Sequence, residues 1–129
     1  MLRALLLILA LIATPVGASA AQRAYATQGD CGGRPMTTVR MAPGYCLGLV
    51  WQGDGADGPR MPRGLLALSG GDWLVTDLGG WQAGRGSVWR LSFAPDGSPR
   101  WRRLAQGLSM PHTVARGPDG RIYVSEMNR

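Results

Sequence analysis

His112 is the single histidine of the 129-residue chain, and imidazole is the side chain that titrates near neutrality and can take a proton from a bound hydroxyl. Arg63 lies 49 residues upstream, and a guanidinium fork can clamp a carboxylate. The spacing matters because the chain writes the surroundings of both residues twice, as PRGLLALSGGDWLVTD from Pro62 to Asp77 and as PHTVARGPDGRIYVSE from Pro111 to Glu126. Laid over each other without a gap, Pro62 meets Pro111, Arg63 meets His112, Leu65 meets Val114, Gly71 meets Gly120 and Asp77 meets Glu126. That equivalence predicts Arg63 and His112 as neighbours around one axis, each just ahead of an inner strand. The plainer alternative has His112 following a proline in a turn and serving the backbone.

Other residue types with chemical potential divide between structure and ligand. Asp77 and Glu126 each close a second strand, where a carboxylate accepts backbone N–H groups of the following turn. Trp73, Trp89 and Trp101 sit in strand patterns and are expected to pack between repeat units, whereas Trp81, in the glycine-rich LGGWQAGRG, is the tryptophan expected to face a ligand. Cys31 and Cys46 are the only cysteines; 15 residues apart in an exported segment, they predict a disulfide. Neither metal-ligand nor haem-attachment spacing is present. Asp54 and Asp57 fit no standard calcium loop and predict a solvated turn.

These side chains must be held by short strands. Residues 21–41 are polar and without period, predicting an irregular N-terminal arm. Tyr45–Trp51 predicts a first strand and residues 52–60 a loop. Gly64–Leu68, apolar throughout, predicts an innermost strand covered on both faces. Ser69 to Gly71 turns into Asp72–Asp77, residues 78–85 form a long connection, and Gly86–Phe93 predicts a third strand. The Pro95-Asp96-Gly97 turn leads to a fourth over Arg100–Ala105. A period of about 49 residues built from strands and turns is the signature of propeller blades. The expected fold is all-β: an incomplete β-propeller over 42–129, about one and a half four-stranded blades of a six-bladed ring, and so the N-terminal piece of a longer protein.

Composition adds a compartment. Met1-Leu2-Arg3, the apolar run Ala4–Ala13 and the Ala18-Ser19-Ala20 site predict a secretory signal, residues 1–20, cleaved after Ala20; the run is too short for a membrane span. Removing it leaves 109 residues with 13 arginines against 8 acids, net +5, and no lysine. Arginine suits anionic ligands, although the bias also accompanies a high Ala and Gly content. Arg100, Trp101, Arg102 and Arg103 form a basic aromatic cluster, but on an exposed outer strand of an exported protein they need no nucleic acid to explain them. The expected location is periplasmic or secreted, with no nucleic-acid partner.

The runs PRGLLALSGGDWLVTDLGGWQAGRGSVWRL and GLSMPHTVARGPDGRIYVSEMNR, with APGYCLGLV before them, resemble the pyrroloquinoline-quinone-dependent sugar dehydrogenase-like propellers, especially the L-sorbosone and pyranose dehydrogenase branch. The resemblance covers about Ala42 to Arg129. It implies a six-bladed periplasmic propeller that oxidises a sugar or sugar aldehyde, with PQQ and calcium as cofactors and a separate electron acceptor. A histidine base then takes the hydroxyl proton while hydride passes to the quinone. By this resemblance His112 is the catalytic base, and Arg63 and Trp81 are cofactor-binding. Ligands expected from later blades are not in this chain, so it is expected to be inactive alone. Two other classes stay open: a non-catalytic propeller binding a glycan or protein partner, and a gluconolactonase-like hydrolase.

Overall fold

The computed structural model describes residues 25–53 and 56–127; the expected signal segment over 1–20 and Asp54 lie outside them. Almost all regular structure is antiparallel β. A small hairpin pairs β1 (Thr27–Asp30) with β2 (Pro35–Thr37). A four-stranded sheet runs in sequence order through β3 (Pro62–Ala67), β4 (Trp73–Asp77), β5 (Gly86–Phe93) and β6 (Pro99–Leu108). A second hairpin joins β7 (Pro111–Arg116) to β8 (Ile122–Glu126).

The N-terminal part departs from the sequence expectation. The arm expected to be irregular carries the β1–β2 hairpin, and Tyr45–Trp51 forms no strand of its own. It lies along β2 through a single bridge, Met36 to Gly48, flanked by Thr37 N–H to Leu47 O and Leu49 N–H to Pro35 O, each 2.8 Å. The Cys31–Cys46 disulfide draws this segment across the hairpin, and the three residues of β2 limit how far pairing can extend. Arg34 fixes the unit to the rest of the chain: its guanidinium lies 4.6 Å from the Phe93 ring centroid and donates to the carbonyl of Gly97 in the β5–β6 turn.

Alternation along β4 decides where the core sits. Leu74 and Thr76 face the β7–β8 hairpin, and Leu74, Val88 and Val114 form one buried cluster with Leu66, Leu68, Leu108 and Val124 packed on it. The opposite face carries Val75, Trp89 and Leu91, with Trp101 against them. Trp51 meets Trp101 edge-on, with centroids 5.8 Å apart. Trp89 is thus buried, but on the face away from β7–β8 and not between the repeat units, because it alternates with Val88 along β5. Trp73 stands exposed near the hairpin end of the same face. Leu65, expected to be covered on both sides, is 62 % exposed; it lies on the edge strand β3, outside the Val75, Trp89 and Leu91 cluster of that face.

The internal repeat is structural as well as sequential. In the first hairpin Pro62 pairs with Asp77, Leu65 with Val75, Leu66 with Leu74 and Ala67 with Trp73. In the second, Pro111 pairs with Glu126, Val114 with Val124, Ala115 with Tyr123 and Arg116 with Ile122. These four pairs are displaced by the same 49 residues, and each hairpin has an irregularity after its leading proline; the second hairpin adds Thr113 with Ser125, which has no counterpart in the first. Backbone bonds outside the ladders repeat too: Leu78 N–H to Met61 O becomes Met127 N–H to Met110 O, and Leu68 N–H to Asp72 O becomes Gly117 N–H to Arg121 O. At the turns, Gly71 and Gly120 both take positive φ, 85° and 77°, the region glycine enters without steric cost.

Candidate functional site

One end of the sheets gathers the chemistry. The pairs Pro62 with Asp77, Asp77 with Ser87, and Gly86 with Leu108 set the start of β3, the end of β4, the start of β5 and the end of β6 side by side. The chain then enters β7 at Pro111. Arg63, the 78–85 connection and His112 therefore share this end.

Asp77 builds the corner beneath them. It is 3 % exposed, and its Oδ1 accepts from the backbone N–H groups of Arg60 (3.1 Å), Met61 (2.6 Å) and Gly79 (3.1 Å). Its Oδ2 accepts from the Ser87 hydroxyl at 3.2 Å, and Ser87 Oγ accepts from the Trp89 indole N–H at 2.7 Å. The carboxylate thereby ties the entry into β3 to the exit from β4. Glu126 repeats the device one unit later, accepting from Ser109 N–H at 2.6 Å. The sequence suggested acceptance from the following turn, which holds for Asp77 with Gly79; the bonds from Arg60, Met61 and Ser109 instead reach back to the segment that enters each hairpin.

Thr76 joins the repeat units. It is fully buried; its Oγ1 accepts from Gly64 N–H at 2.8 Å and donates to the carbonyl of His112 at 3.0 Å. Gly64 allows the approach, since a Cβ there would lie 2.8 Å from His112 O and 3.1 Å from Thr113 Cα. No sequence signal marks Thr76, because a threonine in a strand is ordinary until its hydroxyl is seen between two hairpins.

Arg63 and Trp81 are brought together. The Arg63 guanidinium lies 5.6 Å from the Trp81 ring centroid, within the range of a cation–π contact, and Trp81 remains 68 % exposed. The pair offers an apolar plate beside a charged donor fork. His112 is exposed, and its Nδ1 lies 3.2 Å from Thr113 Oγ1. His112 lies within β7 and not in a turn; its carbonyl accepts from Thr76, while its ring is open to solvent. Its backbone abuts the residue that follows Arg63, through the Gly64 contact. Among the described residues no group of three or more His, Cys, Asp or Glu could hold a metal ion.

No protein-family model matches the chain, and neither a curated protein nor a solved structure matches it. The reading of this site therefore rests on its own residues. The disulfide suits an oxidising compartment, and no helix among the described residues is long and apolar enough to cross a membrane.

Proposed function

We propose that the chain supplies blades of an exported β-propeller of the quinone-dependent sugar dehydrogenase type, acting on a sugar or sugar aldehyde. The observation that carries this reading is the common register of β3–β4 and β7–β8 at four pairs, with the two hairpins locked together by Thr76 and Gly64. Units repeated in register and packed side by side are how blades follow one another around an axis.

The residues at the shared end fit a planar, carboxylate-bearing quinone. Arg63 offers a fork to a carboxylate, and Trp81 offers a flat apolar surface. When bound, the quinone accepts the hydride. In the tautomer whose Nδ1–H donates to Thr113 Oγ1, His112 has Nε2 left to take the substrate hydroxyl proton. Among the described residues no group of three or more His, Cys, Asp or Glu could hold the calcium that the resemblance implies.

The test uses the exported protein that carries this chain with its further blades, supplied with quinone and calcium. Dye-coupled oxidation of aldoses or aldehydes is expected, with His112→Ala lowering kcat by about 10²-fold or more and Arg63→Ala weakening quinone binding. The absence of quinone-dependent dye reduction in the intact protein would remove this reading. The open face of Trp81 also favours a second one, a non-catalytic glycan-binding propeller, in which sugar binding needs no quinone and survives His112→Ala.

A further inference from the structure

On the same end of the sheets, a polar cleft of about 440 Å³ is lined by Arg60, Arg85 and Arg103, with Asp77, Ser87 and Gln106; its lining does not include Arg63 or Trp81. Three arginines and one acid line it, and the acid's carboxylate is already engaged: both Asp77 oxygens accept hydrogen bonds from the corner they hold. Among the described residues the ion pairs are Arg90 with Asp72 and Arg121 with Asp119, so no carboxylate lies at ion-pair distance from the three cleft arginines. Arg103 reaches the cleft across β6; it lies 4.4 Å from the centroid of Trp89, its partner in register, and 3.5 Å from Gln106 Oε1. Arg85 is placed by a tight corner: Gly79 has φ +66°, and a Cβ there would fall 2.0 Å from Arg85 O. Arginine keeps its charge in such a setting and pairs with oxyanions through two parallel N–H groups.

We infer that this cleft binds a dianionic tetrahedral oxyanion, a phosphate or sulfate group borne by a small molecule. The net excess of two positive charges matches a dianion, and the volume lies within the range that holds a small organic ligand rather than a lone ion. The site is separate from the quinone reading and does not depend on it.

The experiment is titration of the purified, disulfide-bonded chain at low ionic strength with inorganic phosphate, sulfate and glucose 6-phosphate, followed by calorimetry and by the arginine Nε–H resonances. Saturable binding is expected, with the Arg60, Arg85 and Arg103 signals moving together. Arg60→Ala and Arg85→Ala should each weaken phosphate binding about tenfold. Arg102→Ala, whose register partner Arg90 lies on the opposite face of the sheet from Trp89, should change it less than about twofold. Because Arg60 and Arg85 are exposed, their variants should keep the parent circular dichroism and thermal midpoint. Tighter binding of glucose 6-phosphate than of inorganic phosphate identifies an ester as the ligand; equal affinities identify the free anion. Binding should survive Arg63→Ala and His112→Ala. The inference is overturned if Arg102→Ala weakens binding as much as Arg85→Ala, if chloride at equal ionic strength displaces phosphate as well as sulfate does, or if none of the three anions binds.

Discussion

At the scale of single residues, Thr76 shows how much one hydroxyl can organise. Buried and bonded on both sides, it satisfies a donor on one hairpin and an acceptor on the next. Thr76→Val keeps the shape and leaves both groups without that partner, which should cost about 2 kcal/mol. Urea unfolding would measure the loss, and hydrogen exchange at the Gly64 amide should quicken with it; an unchanged midpoint would mean that water replaces the hydroxyl. Arg63 and His112 illustrate the reverse case. Their equivalence was legible from the repeat alone, yet the stacking of Arg63 on Trp81 was not, because it depends on how the 78–85 connection folds back over the start of β3.

At the scale of elements, the two hairpins share register while their sequences share few side chains. What they have in common is the leading proline, the turn glycine and the closing carboxylate, and these fix where each strand starts, turns and stops. Gly64→Ala tests the packing between them. The added Cβ would press on His112 O and Thr76 Oγ1, so protection of the β7–β8 amides should fall while the β4–β5 ladder keeps its own. Equal loss throughout would show that the hairpins unfold as one unit.

The β7–β8 turn also carries a pH dependence. Hydrogen bonds from the Tyr123 hydroxyl and the Arg121 N–H hold the Asp119 carboxyl below its ordinary value of 3.8, and Ser98 does the same for Asp96 in the β5–β6 turn. A carboxyl depressed in the folded state contributes stability above its unfolded pKa, and that contribution disappears as pH falls through the folded value. The urea midpoint should therefore drop on acidification below about pH 4, and it should drop less in Asp119→Asn. Parallel decline in the two proteins would place the acid sensitivity elsewhere.

At the scale of the whole molecule, the disulfide shapes the N-terminal unit, while Arg34 on Phe93 and Gly97 and Trp51 against Trp101 hold it to the sheet that follows. Replacing Cys31 and Cys46 by serine should lower stability by about 3 kcal/mol, as closure of a 15-residue loop suggests, and should loosen residues 31–47 before the β3–β6 sheet, readable by limited proteolysis. The sequence by itself determined the strand order from β3 to β8, the turns between them, the disulfide and the 49-residue equivalence. Each of these is set by local pattern: period-two alternation, turn residues and a pair of cysteines. Only the tertiary structure decided which face of the sheet the second hairpin covers, leaving Leu65 and Trp73 exposed. It likewise decided that Tyr45–Trp51 rides along β2 rather than forming a strand, and that Arg60, Arg85 and Arg103 meet in one cleft. Those outcomes depend on contacts between residues far apart in the chain, and a linear pattern records which residues are present without recording which distant partners they reach.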